Sequence, residues 1–88
     1  MPVLLVTYEL KNADQDYSTF RSMLHSYPWI KLSESAVVLD CADSPEAFLE
    51  SLWPWVDQHD TVIVFGVGSP WAGIGSAEVK AWLKERLK

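Results

Sequence analysis

An α+β domain is predicted, with a four-stranded antiparallel sheet, two helices on one of its faces and an added C-terminal helix. Three observations predict it. Four short runs rich in β-branched and aliphatic residues alternate with segments of helical spacing, in the order strand, helix, strand, strand, helix, strand. The second and third runs are joined only by Ser33-Glu34-Ser35, a hairpin-sized connection. After the fourth run, a Gly-rich loop leads into one more segment with an apolar side.

Val3 to Leu10 is almost continuously apolar before it ends in Tyr8-Glu9-Leu10, as expected of a central strand covered on at least one face. Lys11-Asn12-Ala13-Asp14-Gln15 reads as a polar loop, and Asp14 or Asp16 is placed to cap a helix starting near Tyr17. Tyr17, Phe20, Leu24 and Tyr27 recur at helical spacing, and Pro28 stops that helix by disfavouring helical angles at Tyr27. Trp29 to Leu32 and Ala36 to Cys41 are the paired strands of the hairpin, whose turn carries no Asn-Gly signal to fix its register.

Ser44-Pro45-Glu46 is the clearest helix start in the chain: a capping hydroxyl, a proline suited to the first helical position and an acid that complements the helix dipole. Phe48, Leu49, Leu52, Trp53 and Val56 form its apolar face, and Pro54 ends or kinks it near Leu52 to Trp53. Thr61 to Phe65 is the fourth strand. Val79, Trp82, Leu83 and Leu87 lie on one side of a last helix, with Lys84, Arg86 and Lys88 near its C-terminus. This order has a ferredoxin-like solution, with strands one and three in the centre and two and four at the edges. The added helix then covers the open sheet face, a sheet edge or a partner subunit.

The 88 residues suffice for one domain spanning 1–88 and are too few for two. Apolar residues make up 49% and charged residues 22%, which excludes a disordered tail. Seven lysines and arginines against 12 acids give a net charge of −5, so strong binding of nucleic acid through its phosphates is not expected. No apolar run approaches the ~20 residues that span a bilayer. The opening Met1-Pro2-Val3-Leu4-Leu5-Val6-Thr7 lacks the basic start of a signal peptide. A cytoplasmic domain without membrane contact is expected. Cys41 is the sole cysteine, which excludes an internal disulfide and a thiolate-rich metal site.

Glu9 places a carboxylate at the end of a central strand, where an acid can bind a divalent cation and activate water for phosphodiester cleavage. Asp14 and Asp16, just beyond, could supplement it, although helix capping explains them equally well. Asp40 and Asp43 read as turn and capping residues at the other end of the sheet. The loop Gly66 to Gly75 fails as a phosphate cradle. A dinucleotide fingerprint would need glycine where Trp71 stands, and a Walker loop would need Lys and Ser/Thr where Ile74 and Gly75 stand. It reads instead as a tight loop that Pro70 and Trp71 pin against the domain. His25 and His59 show no metal-ligand spacing, and Cys41 reads as a small buried hydrophobe. Five tryptophans are many for this length. Trp53 and Trp55 cannot both face inward on one narrow stripe, which makes Trp55 and Trp71 candidate interaction anchors.

Val3-Leu4-Leu5-Val6-Thr7-Tyr8-Glu9-Leu10-Lys11-Asn12, with Asp16-Tyr17 after it, resembles the opening of the SinR-like small proteins related to Cas2. Ser35, Asp60, Trp71-Ala72-Gly73 and Trp82-Leu83-Lys84 extend the resemblance over nearly the whole chain. It implies the ferredoxin-like fold and a twofold homodimer. In Cas2 nucleases the first strand ends in an aspartate that binds metal with its counterpart across the dimer axis. The matching position here is Glu9, whose arm is longer by a methylene, and the acidic balance departs from the basic surface of Cas2. A C-terminal helix also stands where Cas2 usually adds a strand.

Two functions from different classes are expected from these residues. The first is a non-catalytic, dimeric Cas2-like module that binds a protein partner through Trp55 or Trp71, with no cofactor. The alternative is an endoribonuclease dependent on magnesium or manganese, with Glu9 from both subunits as the metal ligand and Asp14 or Asp16 assisting.

Overall fold

The computed structural model describes residues 3–87. The strands are β1 (Val3–Glu9), β2 (Trp29–Ser33), β3 (Ala36–Asp40) and β4 (Thr61–Val67); the helices are α1 (Ser18–Leu24), α2 (Pro45–Leu52) and α3 (Ala77–Arg86). The result is a small α+β domain with a four-stranded sheet ordered β2-β3-β1-β4, in which each neighbouring pair is antiparallel. β1 and β3 are therefore central, which suits the aliphatic density of their sequences.

Strand periodicity divides the sheet into two apolar faces. Leu4 opposes Leu39 and Val6 opposes Val37 on the first face. There they join Cys41, with Phe20 and Leu24 of α1 and Phe48 and Leu52 of α2, in one buried cluster. Val3, Leu5 and Val38 point the other way, toward Trp82, Leu83 and Leu87 at the end of α3. The added helix thus covers part of the second sheet face, along the β2 side.

Helix starts follow the local sequence. The Ser44 hydroxyl accepts the Ala47 N–H at 3.1 Å, and Ser76 does the same for Val79 at 3.2 Å. At α1 neither aspartate is the capping residue; Tyr17 holds that place without a side-chain cap. Asp16 nevertheless accepts the Ser18 N–H at 2.9 Å, whereas the Asp14 N–H is taken by the Asn12 side chain at 3.1 Å.

Several sequence expectations need correcting. β1 ends at Glu9 rather than Leu10, and β3 at Asp40 rather than Cys41. α1 ends at Leu24, before Tyr27, where the Ser26 hydroxyl donates to the Met23 carbonyl at 2.7 Å and closes the last turn. Tyr27 still packs on Phe48, from beyond the helix. β4 runs on to Val67, since Gly66 and Val67 pair with Leu4 and Val3. Between Lys31 and Ser33 the hairpin register slips, which extends β2 by one residue. Trp53 was expected on the apolar face of α2, but it is 70% exposed. Pro54 has no N–H to continue the helix, and Trp53–Trp55 tighten into a 3-10 turn that swings the indole outward.

Candidate functional site

Glu9 ends β1 opposite Thr61 of β4 and points to the second sheet face, as do Leu5 and Thr7. Its carboxylate is 69% exposed and pairs with Lys11 at 3.3 Å. Solvent screens a pair this open, so it ties the carboxylate down only weakly. Around the end of β1, Tyr8, Glu9, Leu10, Arg21, Glu34 and Ser35 line a shallow polar groove of about 340 Å³. Asp14 and Asp16 lie in the exposed loop before α1. The Ser18 N–H and hydroxyl hold the Asp16 carboxyl below its ordinary pKa. Among the described residues no three His, Cys, Asp or Glu side chains gather as a set that could hold a metal ion, so Glu9, Asp14 and Asp16 do not form one within a single chain.

Beneath this loop lies a residue that site reasoning passed over. Asp60, just before β4, accepts the Lys11 N–H at 2.7 Å, the Tyr17 hydroxyl at 2.7 Å and the Asp57 N–H at 2.8 Å. One carboxylate therefore fixes the loop that follows Glu9 to the turn that precedes β4. Burial pushes the Asp60 carboxyl upward, but the donors from Lys11, Tyr17 and Asp57, with His59 nearby, outweigh it and hold the pKa below its ordinary value. The Tyr17 phenol is raised by burial and by its bond to Asp60. The only local signal was the pair Asp57 and Asp60 at turn spacing before a strand, which says nothing of Tyr17.

The two candidate interaction tryptophans differ. The Trp55 side chain is exposed on the 3-10 turn, where its carbonyl accepts the Gln15 side-chain amide at 3.3 Å. Trp71 is half-buried against the cluster of Val3, Val38 and Leu87, so much of its ring serves the fold. The pinning role expected of it in the Gly-rich loop is met. Arg86, near the C-terminus of the last helix, bonds Asp40 at 3.1 Å and lies 4.1 Å from the centroid of the Trp82 ring.

β4 has one neighbour, β1, so its other edge is open. On the second face its Ile63 and Phe65 stand beside Thr7 and Leu5 and are 45% and 49% exposed, because α3 covers the far side of the sheet. No helix among the described residues is long and apolar enough to cross a membrane. Compared with known proteins, the chain matches no family model, no curated protein and no solved structure.

Proposed function

We propose that this chain is a ferredoxin-like, Cas2-related module of the SinR-like kind that acts as a homodimer through protein contact rather than by catalysis. One observation carries the reading: the uncovered half of the second sheet face. Ile63 and Phe65 form an apolar row on an edge strand, next to backbone groups that have no partner strand. A second copy laid on that row would bury both side chains and complete the covering that α3 leaves unfinished. Trp55, exposed elsewhere, is the anchor for a further protein partner. The element order and the resemblance of the opening strand support the family reading, and the acidic composition supports a protein-binding role over a nucleic-acid one.

Sedimentation of wild type and Phe65→Ser at micromolar concentration tests the dimer. A wild-type dimer that becomes a folded monomer in the variant is expected. A wild type that is strictly monomeric overturns the proposal.

A second reading is favoured by the shallow groove at the end of β1, which Glu9, Glu34 and Arg21 help to line. Glu9 also ends the row that carries Leu5 and Thr7, so a dimer over this face would carry a carboxylate at its margin. In that reading the module is a magnesium- or manganese-dependent endoribonuclease. RNA cleavage that requires metal and disappears in a dimeric Glu9→Ala variant is its expected signature. Silence from wild type, or cleavage indifferent to chelator, removes it.

A further inference from the structure

We propose that the cleft between the Gly-rich loop, α3 and the end of β2 binds a small amphiphilic anion, with an aliphatic body and a carboxylate head. Two adjoining open grooves, of about 500 Å³ and 470 Å³, share Trp71, Ala72, Gly73 and Lys80. Their walls differ in character. Leu32, Ile74, Val79 and Leu83 line the first, and Lys84 joins Lys80 at the second.

Three features select the ligand. The first is a wall poor in hydrogen-bonding side chains. Besides Lys80 it offers only the Trp71 indole N–H and the Ser76 hydroxyl, which caps Val79. A nucleobase would leave its polar edge unmatched against such a wall, whereas an alkyl chain asks for nothing. The second is charge. In a chain of net charge −5, Lys11, Lys31 and Arg86 are ion-paired, while Lys80 and Lys84 make no ion pair among the described residues. They sit one helical turn apart on α3 and can reach the same anion. The third is Ile74, which is fully exposed although it sits on the rim of the apolar groove. A chain lying in the cleft would cover it. None of these residues belongs to the Ile63–Phe65 row, so the site does not depend on the dimer.

The test is a titration of the full chain with sodium decanoate below its micelle concentration, followed by amide and indole NMR signals. Shifts confined to Leu32, to Trp71 and residues 72–76, and to α3 from Val79 to Lys84 are expected. Lys80→Gln combined with Lys84→Gln, both at exposed positions, should weaken binding about tenfold or more through loss of the charge-assisted bonds. Ile74→Ser, at a site whose side chain supports nothing in the fold, should weaken it as well. Neutral decanol should bind no better to wild type than to the lysine double variant. The proposal is overturned by shifts that spread to Ile63, Phe65 and Trp53, by decanoate binding unchanged in the lysine double variant, or by adenosine monophosphate competing on equal terms.

Discussion

The Tyr17 phenol donates a 2.7 Å hydrogen bond to the Asp60 carboxylate and so joins residues 43 apart in the chain. The same carboxylate takes backbone N–H groups from Lys11 and Asp57, so three chain segments meet on one side chain. The loop after Glu9 is held by this knot rather than by a helix cap.

Replacing Asp60 by Asn puts an amide in place of a charged acceptor and leaves it too few oxygens for its three donors. Asp60→Asn should cost roughly 2 kcal/mol in urea unfolding, as hydrogen bonds to a charged group are worth more than neutral ones. Tyr17→Phe removes one of the three bonds and should cost less than Asp60→Asn. Equal losses in the two variants would contradict the three-donor arrangement.

The sign of the pH dependence follows from the direction of each shift. Asp60 has a folded pKa below its ordinary 3.8, so its contribution is whole above that value and is lost as pH falls through the lower folded one. The acid limb of the stability curve should be flatter in Asp60→Asn than in wild type. Tyr17 is raised above 10.0, so its neutral phenol stabilises fully below that pH and progressively less as pH rises through the folded value. An ultraviolet absorbance titration should show one tyrosine fewer ionising at the alkaline end in Tyr17→Phe.

Arg86 anchors the end of α3 to Asp40 of β3, and its guanidinium also lies over the face of Trp82, one turn back on the same helix. The guanidinium is 19% exposed and its partner carboxylate 33%, so solvent screens the pair only in part. Arg86→Ala should cost about 1 to 2 kcal/mol, and Arg86→Lys somewhat less, since a lysine keeps the charge but cannot stack its plane on the indole. Thermal unfolding measures the loss, and the near-ultraviolet signal of Trp82 reports whether the helix end has loosened.

Phe20 and Trp53 are both large aromatic residues at helical spacing, with opposite consequences. Phe20 has no exposed surface and meets Tyr8 and Tyr17 edge-on. Phe20→Ala should cost about 3 to 5 kcal/mol by leaving a cavity. Trp53→Ala should change stability by less than about 0.5 kcal/mol, because its ring is mostly in water. Chemical denaturation of the two variants side by side measures the contrast.

The elements and their order were legible in the sequence. Val3 to Leu10 and Ala36 to Cys41 are apolar enough to hold central strands, within a residue of their ends, and Ser44-Pro45 starts a helix by local bonding alone. Such features depend on neighbours a few residues away, which is the range over which periodicity and capping act. Glu9 was legible as a strand-end acid for the same reason, but its surroundings were not. It takes the folded chain to show that Asp60 ties Lys11 and Tyr17 together, that Arg86 leaves its basic neighbours for Asp40, and that α3 covers the β2 side of the sheet while Ile63 and Phe65 stay bare. Each depends on residues far apart in the chain. No periodicity encodes such a meeting: it is settled when both sheet faces compete for the same few apolar side chains and every buried donor seeks an acceptor.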